Sequence, residues 1–170
     1  YGGAQLNICA LISNVAATNW LAQNGILAFL MPDSIMSQNS YEEFRNFYID
    51  YEKNKRLYLQ KLDRWCAPLR PFKVGKKSVT QDFNTYYYSN SFVNYNMGVR
   101  VKAISKRKGI NDLVVNKCQS YEEAKIYLVE KEEYAKQLAS NSTQFTYVSK
   151  EFDFTDIIGS TAYLYRTGVE

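Results

Sequence analysis

The stretch Gln23-Asn-Gly-Ile-Leu-Ala-Phe-Leu-Met-Pro-Asp-Ser-Ile-Met36 decides how the rest of the chain is read. A turn dipeptide, Asn24-Gly25, opens into the apolar run Ile26 to Met31, and Pro32-Asp33 closes it. The run has no polar alternation and lies between breakers. That pattern predicts a strand buried on both faces, of the kind found in parallel sheets covered by helices. The run is too short for an isolated core helix.

Working outward, residues 5 to 22 read as a helix. Its stripe of Leu6, Cys9, Ile12, Ala16 and Trp20 is widened by Ile8, Leu11 and Val15 until it is apolar nearly all round. Such a helix is expected to pack between other elements. Gly25 stands where a C-terminal cap belongs, so helix, tight turn and strand form half of an α/β crossover. Downstream, Ser40 with Glu43 makes a capping box and predicts a helix over 40–49, with Phe44, Phe47 and Tyr48 as its apolar face. Strands are expected at 56–62 and 78–89, on either side of Pro68 and Pro71, pairing as an antiparallel return at one sheet edge.

Near residue 90 the composition turns loop-like, which places a boundary between a first region, 1–90, and a second, 91–170. In the second, Val99, Val101 and Ala103 alternate with Arg100 and Lys102 as in a half-exposed strand. A turn at Lys106–Asp112 and a short strand at Leu113–Val115 follow. Ser120 with Glu123 repeats the capping box and opens the longest expected helix, to about Ser140. Its face would be Ala124, Tyr127, Leu128, Tyr134 and Leu138, with Glu122, Glu123, Glu130, Glu132 and Glu133 solvated. Further strands are expected at Phe145–Phe154 and Ala162–Tyr165.

Composition excludes several chemistries. The chain has no His, so imidazole acid–base catalysis and His-containing metal sites inside it are ruled out. Its three Cys (Cys9, Cys66 and Cys118) are scattered and odd in number, which fits thiols in a reducing cytosol better than a disulfide framework. No apolar run approaches a membrane span, and the N-terminus lacks a signal peptide's basic region. Starting at Tyr1 without Met and ending inside an ordered pattern, the chain is expected to be a fragment of a longer protein.

Charge is concentrated. Between Lys53 and Lys108 fourteen basic residues face only Asp63 and Asp82, although the whole chain carries just +4. A basic stretch interleaved with aromatics points to nucleic-acid phosphates; the bland alternative is an ordinary solvated surface. Lys73, Lys76, Lys77, Lys102, Lys106, Arg107 and Lys108 are the candidate backbone contacts, and Lys106-Arg107-Lys108 is the sharpest cluster. Asp33 lies just past the strand end, where open α/β sheets place their sites, but without a partner in sight an Asx turn or cap after Pro32 is the preferred reading. No glycine-rich phosphate loop, nucleophile motif or metal-ligand spacing occurs.

The order of these pieces, "NGILAFLMPDSIM", "SYEEFRNFYI", "RLYLQKLD" and "APLRPFKVGKKSVTQDFNTYYYS", resembles the C-terminal half of the catalytic domain of N6-adenine DNA methyltransferases of restriction–modification systems. The resemblance covers roughly residues 5–90. It implies an α/β fold with a partial Rossmann-like methyltransferase sheet, followed by a smaller α+β region leading toward DNA target recognition. It also implies S-adenosylmethionine (SAM) as the cofactor of the full-length protein, double-stranded DNA as substrate, a restriction or specificity partner, and a bacterial cytoplasmic location. The family's SAM-binding turn and its Asn-Pro-Pro-aromatic motif are missing here, so no catalytic residue is expected in this chain and the fragment alone should be inactive. One role carries over: Phe72 stands where the family stacks an aromatic on the flipped adenine, a contact that recovers part of the cost of extruding a base. Ordinary core packing is the alternative for Phe72. For the chain as a whole, the alternatives are a non-catalytic α/β nucleic-acid-binding module and a plain interaction domain.

Overall fold

The computed structural model describes residues 8–66, 73–74, 77–78, 82–138 and 142–149. Its first helix, α1 (Ile8–Trp20), leads through a turn to β1 (Leu27–Pro32) and then to a 3-10 turn at Asp33–Met36. The left-handed residue of the connecting turn is Asn24 (φ 64°), not Gly25. Gly25 is needed for space, because a Cβ there would lie 2.9 Å from Leu21 Cδ1 and 3.0 Å from the Ala22 carbonyl oxygen.

Next come α2 (Glu42–Asn46) and the small ladder of β2 (Tyr48–Asp50) with β3 (Lys55–Arg56). β4 (Tyr58–Trp65) is followed by the short pair β5 (Lys73–Val74) and β6 (Lys77–Ser78), and then by β7 (Phe83–Ser89). β8 (Val99–Lys106), α3 (Asp112–Val115), α4 (Tyr121–Lys125), β9 (Leu128–Gln137) and β10 (Phe145–Ser149) complete the described chain. The main sheet has six strands in the order β1-β7-β4-β8-β9-β10, and it is mixed. β7 is antiparallel to both β1 and β4, while β4 and β8 are parallel. The protein is therefore α/β with few helices, and its sheet runs without a break past residue 90, through the β4–β8 ladder.

One face of the sheet is closed. Met31, Leu62, Tyr86, Tyr88, Val99, Val101, Ala135 and Phe145 form one buried cluster with Ile35, Met36, Phe44 and Phe47. The strand period puts these residues on a single side, and burial of each large apolar side chain contributes roughly 1.5–3 kcal/mol. A smaller cluster of Ile104, Ala124 and Leu128, with Trp65, Val115, Cys118 and Tyr121 against it, fills one corner of the opposite face.

Several expectations need correction. The opening strand forms, but at the sheet edge and antiparallel to its neighbour, and its outward side is open: Leu30 is 43% exposed. The helix before it buries its small residues Ala10, Ser13, Ala16 and Ala17, while Ile8, Leu11, Ile12, Val15 and Trp20 are exposed. Small side chains allow the helix to approach β1 closely, with the Ser13 hydroxyl 3.5 Å from Met31 Sδ. The Ser40–Glu43 box does not form. Residues Asn39–Tyr41 make a 3-10 turn, and α2 starts after Tyr41 without a side-chain cap.

The largest correction lies at 120–140. The Ser120 cap forms, its hydroxyl accepting from the Glu123 amide, yet the helix stops at Lys125 and a ten-residue strand, β9, takes over. Residues Leu128, Glu130, Glu132 and Tyr134 alternate with Val129, Lys131, Glu133 and Ala135; Glu130 and Glu132 meet Lys102 and Arg100 across the β8–β9 ladder, and Glu133 pairs with Arg64 of β4. Glu130, Glu132 and Glu133 are thus paired, not a solvated helix face. Helix propensity of Glu, Lys and Ala is a weak preference that a matching neighbour strand overrides. Leu113–Val115 likewise is helical, started by Asn111, whose side chain accepts from the Leu113 amide. The expected strand at Ala162–Tyr165, and the part of Phe145–Phe154 after Ser149, lie outside the described residues.

Candidate functional site at the strand ends

β1, β4 and β8 run the same way, so their C-terminal ends share one end of the sheet. Open α/β sheets gather their ligand chemistry at that end. Asp33, the first residue past β1, does more there than cap a turn. Its Oδ1 accepts from Asn84 Nδ2 at 2.5 Å and from the Tyr147 hydroxyl at 2.6 Å. Asn84 Nδ2 also lies 2.9 Å from the Tyr147 oxygen and 3.3 Å from that of Tyr86. The Tyr86 hydroxyl donates to the Pro32 carbonyl at 2.8 Å. Residues 33, 84 and 147 thereby join both edge strands and the strand next to β1 in one network.

The surroundings set the protonation of this network. Burial raises the Tyr147 phenol well above its ordinary value, and the nearby Asp33 charge pushes the same way. Burial also raises Tyr86 strongly. Both phenols therefore remain neutral donors. Arg64 stacks 4.1 Å over the Tyr147 ring and pairs with Glu133 at 3.1 Å, and burial raises the neighbouring Cys66 thiol. That thiol is poorly suited to act as a nucleophile, since the thiolate is the reactive form. Asn84 Oδ1 is buried with no hydrogen-bond partner among the described residues. Turning the amide over would set this oxygen against the Asp33 carboxylate, so the orientation is fixed. The cluster is an internally bonded one: the phenol donors are spent on Asp33 and the Pro32 carbonyl, and Asn84 is 1% exposed, so what it does is tie β7 and β10 to the residue past β1. Among the described residues no group of His, Cys, Asp or Glu is placed to hold a metal.

The candidate DNA contacts divide into two groups. Phe72 and Lys76 lie outside the described residues, and Lys73 and Lys77 belong to the β5–β6 pair in the segment that leaves the end of β4 and returns to the start of β7. Lys106, Arg107 and Lys108 follow the end of β8. Lys106 is bound to Asp112, and Arg107 Nε donates to the Leu128 carbonyl at 3.1 Å. Lys102 sits mid-strand, on the outward face, 3.5 Å from Glu130. Topology therefore carries the 106–108 turn, the end of β4 and the start of β7 to the same end of the sheet as Asp33, while Lys102 and Lys106 are already matched by carboxylates.

Asn84, Tyr147 and Arg64 were missed by sequence reading. Asn84 left a trace: it shares the inward period of Tyr86 and Tyr88, and a polar residue at an inward position asks for partners. Tyr147 left none, being far along the chain from Asp33. Comparison with protein-family models, with curated proteins and with solved structures gives no match to this chain. Among the described residues no helix is long and apolar enough to cross a membrane.

Proposed function

We propose that this chain is part of a SAM-dependent N6-adenine DNA methyltransferase of a restriction–modification system, contributing the sheet half that follows the catalytic motif. The observation that carries the reading is the antiparallel pairing of β4 with β7, the strand pair that the resemblance implies after "NGILAFLMPDSIM" and "SYEEFRNFYI"; the pair lies inside the sheet, next to β1, and not at its edge. The open edge of β1 and the exposed apolar residues of α1 leave a surface that a preceding half-domain would cover. SAM and the catalytic motif belong to that other half. In this reading Phe72 stacks on the extruded adenine, and Lys73, Lys76, Lys77, Lys106, Arg107 and Lys108 meet the backbone of double-stranded DNA, each neutralised phosphate releasing counterions. Lys102 meets phosphate only by giving up Glu130.

The test is methyl transfer from labelled SAM to unmethylated duplex DNA by the polypeptide that contains this chain, with the DNA digested to nucleosides afterwards. N6-methyladenine is the expected product, and the 170-residue chain alone should yield none. Absence of methyladenine with the longer polypeptide, or methylation by the isolated chain, overturns the proposal.

A further inference from the structure

At the opposite end of the sheet, where β4 and β10 begin and β9 ends, lies a cleft of about 210 Å³. Arg45, Arg56, Tyr58, Phe92, Asn94 and Asn96 contribute to its wall, and no Asp or Glu lines it among the described residues. Two guanidiniums thus share a concave surface without an acidic neighbour in it.

Each cation is held in place by groups that leave its charge uncompensated. Arg45 is buried; Nη1 donates to the carbonyls of Ile35 at 2.9 Å and Gln38 at 2.6 Å, and Nε and Nη2 donate to the Thr143 hydroxyl. No carboxylate of the described residues lies within ion-pair distance of it. Burial lowers the Arg45 pKa, with the more distant Glu42 opposing. A buried charge without an opposite partner is costly, and an anion arriving nearby would relieve that cost. Arg56 lies 4.5 Å over the Tyr58 ring and 6.0 Å from that of Tyr48, again with no carboxylate partner. The Tyr58 side chain also hydrogen-bonds this guanidinium, which raises its pKa, and the N–H donors that remain can meet an oxyanion. Two further features point to a ring on the ligand. Phe92 stands 72% exposed at the rim, its ring 5.3 Å from that of Tyr58. Asn94 Oδ1 is occupied by the Asn96 amide, so the Asn94 Nδ2 donor is the end left for a ligand.

We propose that this cleft binds a small anion carrying a flat ring, its phosphate or carboxylate on the Arg56 guanidinium and its ring against Phe92. The cleft is smaller than the roughly 300–1,000 Å³ of drug-sized sites, which limits the ligand to a single ring with its charged group. The assignment does not depend on the methyltransferase reading, since the cleft lies away from the C-terminal strand ends.

The test is calorimetric titration of the 170-residue chain with phenyl phosphate, inorganic phosphate and phenol. Phenyl phosphate should bind saturably, and the other two about tenfold more weakly or less, because each lacks one of the two contacts. Arg56→Gln should weaken phenyl phosphate about tenfold, the loss expected for one charge-assisted contact. Phe92→Ala, a surface change that leaves the core intact, should weaken phenyl phosphate but not inorganic phosphate. No saturable binding of phenyl phosphate, or equal binding by Phe92→Ala or by a folded Arg56→Gln, overturns the proposal. Inorganic phosphate binding as well as phenyl phosphate overturns it too, as does displacement of phenyl phosphate by a DNA duplex, which would make the cleft part of a nucleic-acid surface.

Discussion

Two sets of polar contacts tie the second half of the sheet to what surrounds it, and they differ in how much water reaches them. The Asp33–Asn84–Tyr147 network bridges the edge strands in a desolvated interior, with Asn84 only 1% exposed. The Arg100–Glu132 and Lys102–Glu130 pairs link β8 to β9 on the outward face, with the Arg100 side chain 73% exposed. The chemistry is similar, a carboxylate accepting from donors. Water makes the difference. An exposed pair exchanges one set of solvated contacts for another and contributes little, whereas a buried donor stripped of its acceptor loses protein and water alike. The first set ties β7 and β10 to the residue past β1; the second favours β-register over helix without holding the fold together.

The widest break in that comparison should come at alkaline pH. The buried phenols hold their protons longer in the fold than in the unfolded chain: Tyr95 is pushed up to about 12, chiefly by burial, and burial raises Tyr86, Tyr88 and Tyr147 as well. Above the ordinary tyrosine value the unfolded chain binds fewer protons than the native one, so stability falls as pH rises. Stability should be flat up to about pH 10 and then drop steeply toward 12, with tyrosinate absorbance of the buried phenols appearing together with loss of circular dichroism. Stepwise ionisation of these phenols in an intact fold would show that the interior network is wet.

A smaller effect is expected from Asp33→Ala. It takes the acceptor from the Tyr147 hydroxyl and one of its acceptors from Asn84 Nδ2, and should cost about 1–3 kcal/mol in urea unfolding. The smallest belongs to Lys102→Ala, which removes one exposed pair and should cost less than about 1 kcal/mol, with the loss shrinking as salt is added. If the Lys102 change costs as much as the Asp33 change, the distinction between the interior network and the outward ladder fails.

Legibility in the sequence followed how local the signal was. The strand at Leu27–Pro32, the β4 and β7 runs and the Val99/Val101/Ala103 alternation were readable because side-chain period is a property of the segment itself. β9 was not readable, because "LVEKEEYAKQ" satisfies both periods and only the cations of β8 choose between them. The site was half readable. Asp33 drew notice from its place after a strand but read as a cap, because its partners Asn84 and Tyr147 stand 51 and 114 residues away.

By itself, the sequence determined the apolar runs and their breakers, the absence of imidazole chemistry and the concentration of basic residues between Lys53 and Lys108. Only the tertiary structure decided that the opening strand lies at an edge, that Glu130 and Glu132 sit in a strand, and that Asp33 meets Tyr147. The physical reason is that hydrophobic period and turn chemistry act between near neighbours, whereas strand pairing, desolvation and ion matching depend on which distant segments the folded chain brings together.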